Sequence, residues 1–487
     1  MERSTRPNHA PVTRSTGVGP VFAAVVAILV TACGGPSPSG SPSANPTPGS
    51  TEVANGTSLP SPTALTSTSP APPPAPAALG RISSTGTVAS LLSDGSLAIV
   101  GAAGDAFRLE GAGGGMYGFP TWSPDGRRIA ATLTAANEIS ILVIDAQRAE
   151  QGLAVTPTTI FHSTSVAPFY LFWTPDGRDV SFLASQGDIL TLRTAASDGT
   201  GALTGAGEGT VVRTGNPFYF DWIARDRLVA HIGTGSTAFL GEIGRDGKPT
   251  GPSVPTPGTF RAPVASRNGQ SIAFVRGGDS TPAEVVVSGH DGANEHSMPV
   301  FGPASVDFDP SGRMLASLGP TQPVSTDIQI PLGPVRLMDV ATGRVRSLLD
   351  GTVVSFWWSP DGKTIAALRI QPATTAEPGS SPEPSIIPTA ASPSPSVPAN
   401  EVRLVFVDVA SGNIESQQLV SPASRFVDQL LTYFDQYALS SQIWSPDSTS
   451  ILLPETDADG STHVAVRFVD GRPPIAIPGD IAFWSPS

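Results

Sequence analysis

A short motif that recurs along most of the 487 residues constrains the fold of this chain more than any other feature. The motif is an aromatic residue followed by Ser or Thr, then Pro, Asp and usually Gly. The four well-preserved copies are Trp122-Ser123-Pro124-Asp125-Gly126, Trp173-Thr174-Pro175-Asp176-Gly177, Trp358-Ser359-Pro360-Asp361-Gly362 and Trp444-Ser445-Pro446-Asp447. Weaker copies lie at Trp222, 265–269, 308–312 and Trp484. The spacing is 40 to 51 residues, apart from one interval of 86 residues between Trp358 and Trp444.

Each copy of the motif predicts a β-hairpin. Asp-Gly supplies the positive φ that a tight reversal needs, and apolar or alternating runs flank it on both sides. Two further runs follow in each unit, which therefore consists of four antiparallel strands. The repeated Asp residues are expected to hydrogen-bond their own turn, which is a structural task. A four-stranded sheet of this size cannot bury both faces alone, so the copies are expected to stack around a centre as a β-propeller.

The number of blades depends on how the two ends of the repeat region meet. The motif at Trp484 has no strands after it, whereas residues 91–111 contain turn-separated runs that lack a first strand. We therefore expect the C-terminal strand to join and complete the N-terminal blade, which gives eight blades over residues 88–487. Seven longer blades are the alternative.

These repeats resemble the WD40-like propeller repeats of the TolB type, which also occur in the amino-terminal domains of dipeptidyl-peptidase-type enzymes. The resemblance covers about residues 88–487 and implies an all-β propeller of four-stranded blades. It implies little about function, because one fold carries many activities. The peptidases with such repeats also carry a hydrolase domain with a nucleophilic serine. The sequence contains no G-x-S-x-G, so peptidase activity is not transferred to it.

The first 33 residues resemble the signal peptide of a bacterial lipoprotein. Arg3, Arg6 and Arg14 precede an apolar run at 21–30, and small residues precede Cys33, the only cysteine of the chain. The resemblance implies a signal peptide over residues 1–32, diacylglyceryl attachment at Cys33 and an extracytoplasmic protein anchored to the cell membrane by its lipid. An ordinary secretory signal followed by a chance cysteine is the alternative. Lipidation would leave no thiol for a disulfide, a zinc site or a nucleophile.

Two Pro-rich segments accompany the repeats. Residues 34–80 contain 12 prolines and a single charged residue, Glu52. Residues 33–87 are therefore expected to form a lipidated, extended tether, because such a composition cannot bury enough apolar area to order itself. Residues 371–400 contain 8 prolines and are expected to form a loop insert within the propeller.

Propeller topology places the inserts and several aromatic residues on one face. Insert 371–400 joins the second and third strands of its blade, and residues 425–439 join one blade to the next. Apolar residues at helical spacing predict a helix over 425–439, with Ser424 as its N-cap. The candidate binding face consists of these elements and of Phe169, Tyr170, Phe218, Tyr219, Phe434 and Tyr437. In the alternative interpretation, the helix covers blade edges and the aromatic side chains fill the core.

The sequence offers no convincing catalytic or metal-binding set. His290 and His296 share one turn with acidic residues, and a solvated hairpin accounts for them. Segment 455–460 resembles the start of a calcium loop, but its twelfth position is Val466 instead of the Glu that such a loop requires. We therefore expect no catalytic residues, no metal and no cofactor.

Two functions from different classes remain. The first is a lipid-anchored, cell-surface module that binds or scaffolds an unknown protein, peptide or glycan. The second is a stand-alone propeller enzyme, such as a lyase or lactonase, with its site at the mouth of the central channel. Acidic side chains clustered at the channel would favour the enzyme, and small apolar ones would favour the binding module. Nucleic acid is not an expected partner, because 41 acidic and 28 basic residues give a net charge of -13.

Overall fold

The structure is a computed structural model that describes residues 81–200, 207–254, 257–277, 283–323, 330–372 and 400–487. Residues 1–80, with the expected signal peptide, Cys33 and most of the tether, lie outside the described residues, as does most of insert 371–400. The described part is all-β. Its antiparallel strands form seven sheets, four of which have four strands, and this architecture is consistent with a β-propeller.

The first three sheets follow one another along the chain. Sheet 1 contains β1 (Thr87–Leu91), β2 (Leu97–Gly101) and β3 (Ala106–Leu109), together with the C-terminal strand. Sheet 2 contains β4 (Met116–Trp122), β5 (Arg128–Ala135), β6 (Glu138–Asp145) and β7 (Thr158–Ser163), with helix α1 (Ala146–Glu150) between the last two strands. Sheet 3 contains β8 (Ala167–Trp173), β9 (Asp179–Gln186), β10 (Ile189–Ala196) and β11 (Thr210–Thr214).

Four more sheets complete the described part. Sheet 4 contains β12 (Phe218–Ala224), β13 (Arg227–Ile232) and β14 (Phe239–Gly244). Sheet 5 contains β15 (Val264–Ala265), β16 (Ser271–Arg276), β17 (Ala283–Gly289) and β18 (His296–Val300). Sheet 6 contains β19 (Ser305–Phe308), β20 (Met314–Leu318), β21 (Gly333–Asp339), β22 (Val345–Trp358), β23 (Thr364–Pro372), β24 (Asn400–Asp408) and β25 (Ile414–Val420). Sheet 7 contains β26 (Ser450–Thr456), β27 (Thr462–Phe468) and β28 (Ile475–Ile477), and β29 (Ile481–Trp484) is the C-terminal strand.

Sheet 6 has seven strands because one long strand serves two neighbours. The first half of β22 pairs with β21, with Met338 opposite Val345. The second half of β22 pairs with β23, with Trp358 opposite Ile365. A bulge separates the two halves. Sheet 6 is therefore two four-stranded units joined through one continuous strand.

The C-terminal strand pairs with the first strand of the described fold, as the sequence predicts. Trp484 lies opposite Val88, and Ile481 lies opposite Leu91. Without β29 the inner edge of β1 would have unpaired backbone groups. The folded part starts earlier than the predicted boundary at residues 87/88: Ile82 is fully buried in the cluster that contains Val88, because an apolar side chain there fills sheet 1.

The repeated motif forms the turn between the first two strands of a unit. In the first copy, Ser123 Oγ donates to Asp125 Oδ1 at 2.5 Å, and the same oxygen accepts the Arg127 N–H at 3.2 Å. Gly126 has a φ of +67°, in the left-handed region that favours glycine. Equivalent carboxylate bonds recur at Asp176, Asp361 and Asp447, and equivalent positive φ angles at Gly177 and Gly362. The Asp residues thus stabilise the turns.

The motif tryptophans connect successive units. Their indole N–H groups donate to the backbone of the preceding unit: Trp122 to Phe483 O at 3.0 Å, Trp173 to Thr121 O at 3.1 Å, Trp358 to Asp307 O at 3.2 Å and Trp444 to Trp357 O at 3.1 Å. All four indoles are buried. Each tryptophan therefore adds apolar contact and one directional bond between neighbouring units.

Residues 423–441 join β25 to the last motif, and we call them the central insert. They form helix α2 (Ser424–Gln429), a 3-10 turn at Leu431–Tyr433 and helix α3 (Phe434–Tyr437). The predicted continuous helix over 425–439 with Ser424 as N-cap is therefore wrong in detail: Ala423 is the N-cap residue, and Ser424 is the first helical residue. The helix breaks because its two ends bind different sheets. No helix among the described residues has the length and apolarity needed to cross a bilayer.

Candidate functional site

The central insert contacts all seven sheets. Its contacts are Arg425 with Asp480, Ser440 with Thr121, Gln436 with Tyr170 and Phe220, Asp435 with Ala262, Phe434 with Phe356 and Trp357, and Ala423 with Pro454. Most of the partners lie in the first strand of their unit or just before it. The insert therefore lies where the inner strands converge, and it is an integral part of the core.

Gln436 is the best-bonded residue of the insert. Its side chain is buried, with Oε1 accepting the Phe220 N–H at 3.0 Å and Nε2 donating to Phe220 O at 3.0 Å. The Tyr170 hydroxyl donates to the Gln436 carbonyl oxygen at 2.9 Å. Burial raises the pKa of Tyr170 well above its ordinary value, so this hydroxyl keeps its proton. The amide of Gln436 thus binds β12 as a neighbouring strand would.

Asp435 provides a second polar anchor. It is buried, and its Oδ2 accepts the Ala262 N–H at 3.4 Å, while its Oδ1 accepts the Gln436 N–H at 3.1 Å. Burial raises the pKa of Asp435, and the Arg261 guanidinium acts in the opposite direction. Because these groups are removed from water, their hydrogen bonds fix the position of the insert.

A pocket of about 130 Å³ remains between the insert and sheets 1, 2 and 3. Its apolar lining consists of Leu91, Phe119, Leu171, Leu430, Ile481 and Phe483. Thr121, Ser440, Ser441 and Tyr437 contribute its few polar atoms, and Gln429 and Arg425 complete the lining. Arg425 is paired with Asp480 at 3.1 Å. An apolar cavity of roughly 150 Å³ is large enough for a benzene-sized group, so this pocket suits one apolar side chain or ring.

Phe119 and Tyr170 occupy the same position in successive sheets, three residues before the motif tryptophan. Both lie at a β-bulge, with φ angles of +48° and +46°. A left-handed conformation costs a non-glycine residue about 1–2 kcal/mol, and such strain clusters at functional sites. Tyr170 is buried and anchors the insert, which accounts for its conformation. Phe119 is 36% exposed at the pocket, where a ligand can reach it.

The predicted binding face is only partly a surface. Tyr170, Phe218 and Phe434 are buried, with 1%, 1% and 5% exposure, and contribute to the core around the insert. Their aromatic area is removed from water because the insert lies against the inner strands. These three side chains therefore cannot meet a ligand directly, which agrees with the alternative interpretation for this half of the set.

The other three predicted residues are half-buried. Tyr437 lines the pocket and contacts Tyr170 edge to face at 5.2 Å between ring centroids, and burial raises its pKa to about 12. Tyr219 packs on Phe260 at 4.5 Å, and Phe169 packs against the cluster of sheets 3 and 4. Sequence reasoning missed Phe119. Its signal was Pro120, which lacks a backbone N–H and interrupts the ladder beside the motif.

Two acidic residues precede the motif aromatic in sheets 4 and 6. Burial raises the pKa of both Asp221 and Asp307 to about 7, and the Asp307 carboxylate adds to the effect on Asp221. Acidic side chains near the centre are the feature that would favour an enzyme. However, Asp221 Oδ2 accepts the Ala265 N–H and its Oδ1 accepts the Trp222 N–H, both at 2.8 Å. Asp221 therefore links sheets 4 and 5.

A larger basin of about 970 Å³ opens on the side of the motif hairpins. Its charged lining consists of Arg128, Arg178, Arg225 and Arg245 with Asp176, Asp179, Asp198 and Asp226. Arg225 pairs with Asp176 at 3.0 Å, and Arg245 pairs with Asp179 at 2.7 Å. Because these charges compensate one another, the basin presents no net charge to a ligand.

The described residues contain no group of three or more His, Cys, Asp or Glu arranged to hold a metal ion. His290 lies 3.8 Å from Glu242 and 3.3 Å from Arg227, across the boundary between sheets 4 and 5. In the calcium-like segment, Asp457 contacts His463 at 3.0 Å and accepts the Ser461 hydroxyl at 3.3 Å. The local turn thus satisfies the carboxylate of Asp457.

Comparison with known proteins gives similarity of fold only. No family model and no curated protein matches the sequence. A eukaryotic initiation factor structure is 13% identical, with 83% of this chain and 99% of that chain covered and a TM-score of 0.47. TolB from Acinetobacter baumannii is 12% identical, with 82% of each chain covered and a TM-score of 0.37. Oligogalacturonate lyase in complex with manganese is 9% identical, with 82% and 86% covered and a TM-score of 0.40.

Proposed function

We propose that the chain is an eight-bladed β-propeller that binds a macromolecule outside the cell. Eight blades follow when sheet 6 counts as two, because the halves of β22 pair with different strands. Two bonds at β29 support closure of the ring. The Trp484 N–H donates to Gln442 O at 2.8 Å, and the Trp122 indole donates to Phe483 O at 3.0 Å. The last strand thus contacts both the first and the last complete motif.

The binding site in this proposal is the pocket beside the central insert. The observation that carries it is Phe119, which holds a strained conformation and remains exposed, whereas its equivalent Tyr170 uses the same conformation to anchor the insert. Because the pocket has mostly apolar walls and few polar atoms, it favours an apolar side chain of a protein or peptide over a glycan.

Selection from a peptide library displayed on phage tests this function. The purified mature chain should enrich peptides that contain a large apolar residue. Enrichment should be lost with Gln429→Trp, which places an indole at the pocket from an exposed helical position, and reduced with Phe119→Ala. Phe301→Ala is the matched control, because Phe301 is similarly exposed but lies between sheets 5 and 6. Equal enrichment by all four proteins would refute the pocket.

The proposal includes membrane anchoring through a lipid at Cys33, followed by a tether that starts beyond the folded region. The folded region begins on the hairpin side, where Ser83 Oγ donates to the Asp447 carboxylate at 2.9 Å. Growth with a labelled fatty acid should label the wild-type protein, and Cys33→Ser should abolish the label. Equal labelling of the two proteins would exclude the anchor.

A further inference from the structure

Building on the proposed binding function, we infer that the ligand is a positively charged polypeptide segment that inserts one large apolar side chain into the pocket. The pocket defines the apolar part of this ligand. Its volume of about 130 Å³ admits one branched or aromatic side chain, and Phe119 and Leu430 provide apolar walls on opposite elements. Neither wall has a hydrogen-bonding group that a sugar ring would need.

The turns around the pocket define the charge of the ligand. Three bonds place these turns beside it: Tyr117 N–H donates to Gly95 O at 2.7 Å, Thr462 Oγ1 donates to Asp480 Oδ1 at 3.0 Å, and Arg425 donates to Asp480 Oδ2 at 3.1 Å. The turn from β5 to β6 belongs to the same end, because Thr134 near its start pairs with Met116 at the start of β4.

These turns are acidic. Residues 92–96, 110–115, 135–138, 456–462 and 478–480 contain no lysine or arginine, and their carboxylates are Asp94, Glu110, Glu138, Asp457, Asp459 and Asp480. The neighbouring arginines are already paired, Arg108 with Asp94 and Arg425 with Asp480. Glu110 and Glu138 have side chains 81% and 53% exposed. The field at the pocket mouth therefore attracts lysine and arginine side chains and repels acidic ones.

Calorimetric titration of the full mature chain with four short peptides tests the inference. The peptides are acetylated and amidated, with central sequences Lys-Phe-Lys, Ser-Phe-Ser, Glu-Phe-Glu and Lys-Ala-Lys. Lys-Phe-Lys should bind at least about fivefold more tightly than Ser-Phe-Ser, and Glu-Phe-Glu more weakly than either. Lys-Ala-Lys should not bind measurably. Raising the salt concentration should shrink the preference for Lys-Phe-Lys, because the charges at the rim are screened.

Two variants assign the effect to its parts. Glu110→Gln combined with Glu138→Gln should bring Lys-Phe-Lys within about twofold of Ser-Phe-Ser and leave Ser-Phe-Ser binding unchanged. Gln429→Trp should weaken every Phe peptide. Equal affinity for Lys-Phe-Lys and Ser-Phe-Ser overturns the charge inference but leaves the binding function intact. Binding of none of the peptides overturns the proposed function itself, and tight binding of maltotriose that depends on Phe119 assigns the pocket to a glycan.

Discussion

The indole N–H of Trp122 donates to the carbonyl oxygen of Phe483 at 3.0 Å, across 361 positions of the chain. This bond connects the first well-preserved motif with the last strand. Because β29 also pairs with β1, the two ends of the repeat region are tied by both a strand ladder and a side chain. Unfolding must therefore break long-range contacts at this junction, and its stability can be measured by substitution.

Trp122→Phe should destabilise the protein by about 2 kcal/mol, because it removes a buried hydrogen bond and part of the packed ring. Trp484→Phe is the matched control. The Trp484 indole is also buried, but its Nε1 has no partner among the described residues, so losing that N–H sacrifices no bond. Urea midpoints followed by circular dichroism measure both effects. A smaller loss for Trp122→Phe than for Trp484→Phe would contradict the role of the indole bond.

Gln436→Leu should lower the stability by about 2–4 kcal/mol, because it leaves the buried N–H and carbonyl of Phe220 without partners. Gln429→Leu, in the same insert but exposed, should change the stability by less than about 0.5 kcal/mol. Thermal unfolding measures the comparison. If Gln436→Leu matches Gln429→Leu, the insert is not an integral part of the core.

Phe119→Gly should separate binding from stability. Glycine adopts a φ of +48° without strain, so the substitution should preserve the stability or raise it by up to about 1 kcal/mol. It should also remove one wall of the pocket and weaken the binding of the Phe peptides. Urea unfolding and calorimetric titration of the same preparation check both. A clear loss of stability would show that Phe119 is a core residue.

Stability should fall as the pH rises from 5 to 8. Burial raises the pKa of Asp221 and Asp307 to about 7 in the folded protein, above the value of about 3.9 in an unfolded chain. The folded state therefore binds these protons more tightly. The stability linked to them is complete below about pH 4 and is lost as the pH passes through 7.

Asp307→Asn tests this linkage, because it removes one of the two titrating groups. The difference between urea midpoints at pH 5 and pH 8 should become smaller than in the wild type. Asp188→Asn, at an exposed turn, is the control and should keep the wild-type difference. An unchanged difference in Asp307→Asn would mean that this carboxylate does not titrate in the range.

Much of the fold could be predicted because it depends on neighbours in the sequence. The motif turn at Asp125 and Gly126 needs only a carboxylate two residues before a backbone N–H and a residue that tolerates positive φ. The fourth motif shows the limit of that rule, since Ser448 takes the glycine position with a φ of +60°. The pairing of β29 with β1 was also predictable, because a motif without following strands needs a partner elsewhere.

The candidate site was harder to predict, because burial is a property of the assembled molecule. Tyr170 and Phe119 occupy equivalent positions, but one is in the core and the other is exposed. The difference arises from Gln436, which lies 266 positions from Tyr170 and binds it directly. No local pattern indicates which of two equivalent aromatic residues the insert will cover.

The sequence by itself determined the sheet-forming unit, its hairpin turns and the tryptophans that join one unit to the next, because local backbone preferences and a fixed spacing specify them. Only the tertiary structure decided that residues 423–441 lie among the inner strands and leave an apolar pocket beside Phe119. The physical reason is that the insert is positioned by buried polar bonds to several sheets at once, and those partners are distant in the chain.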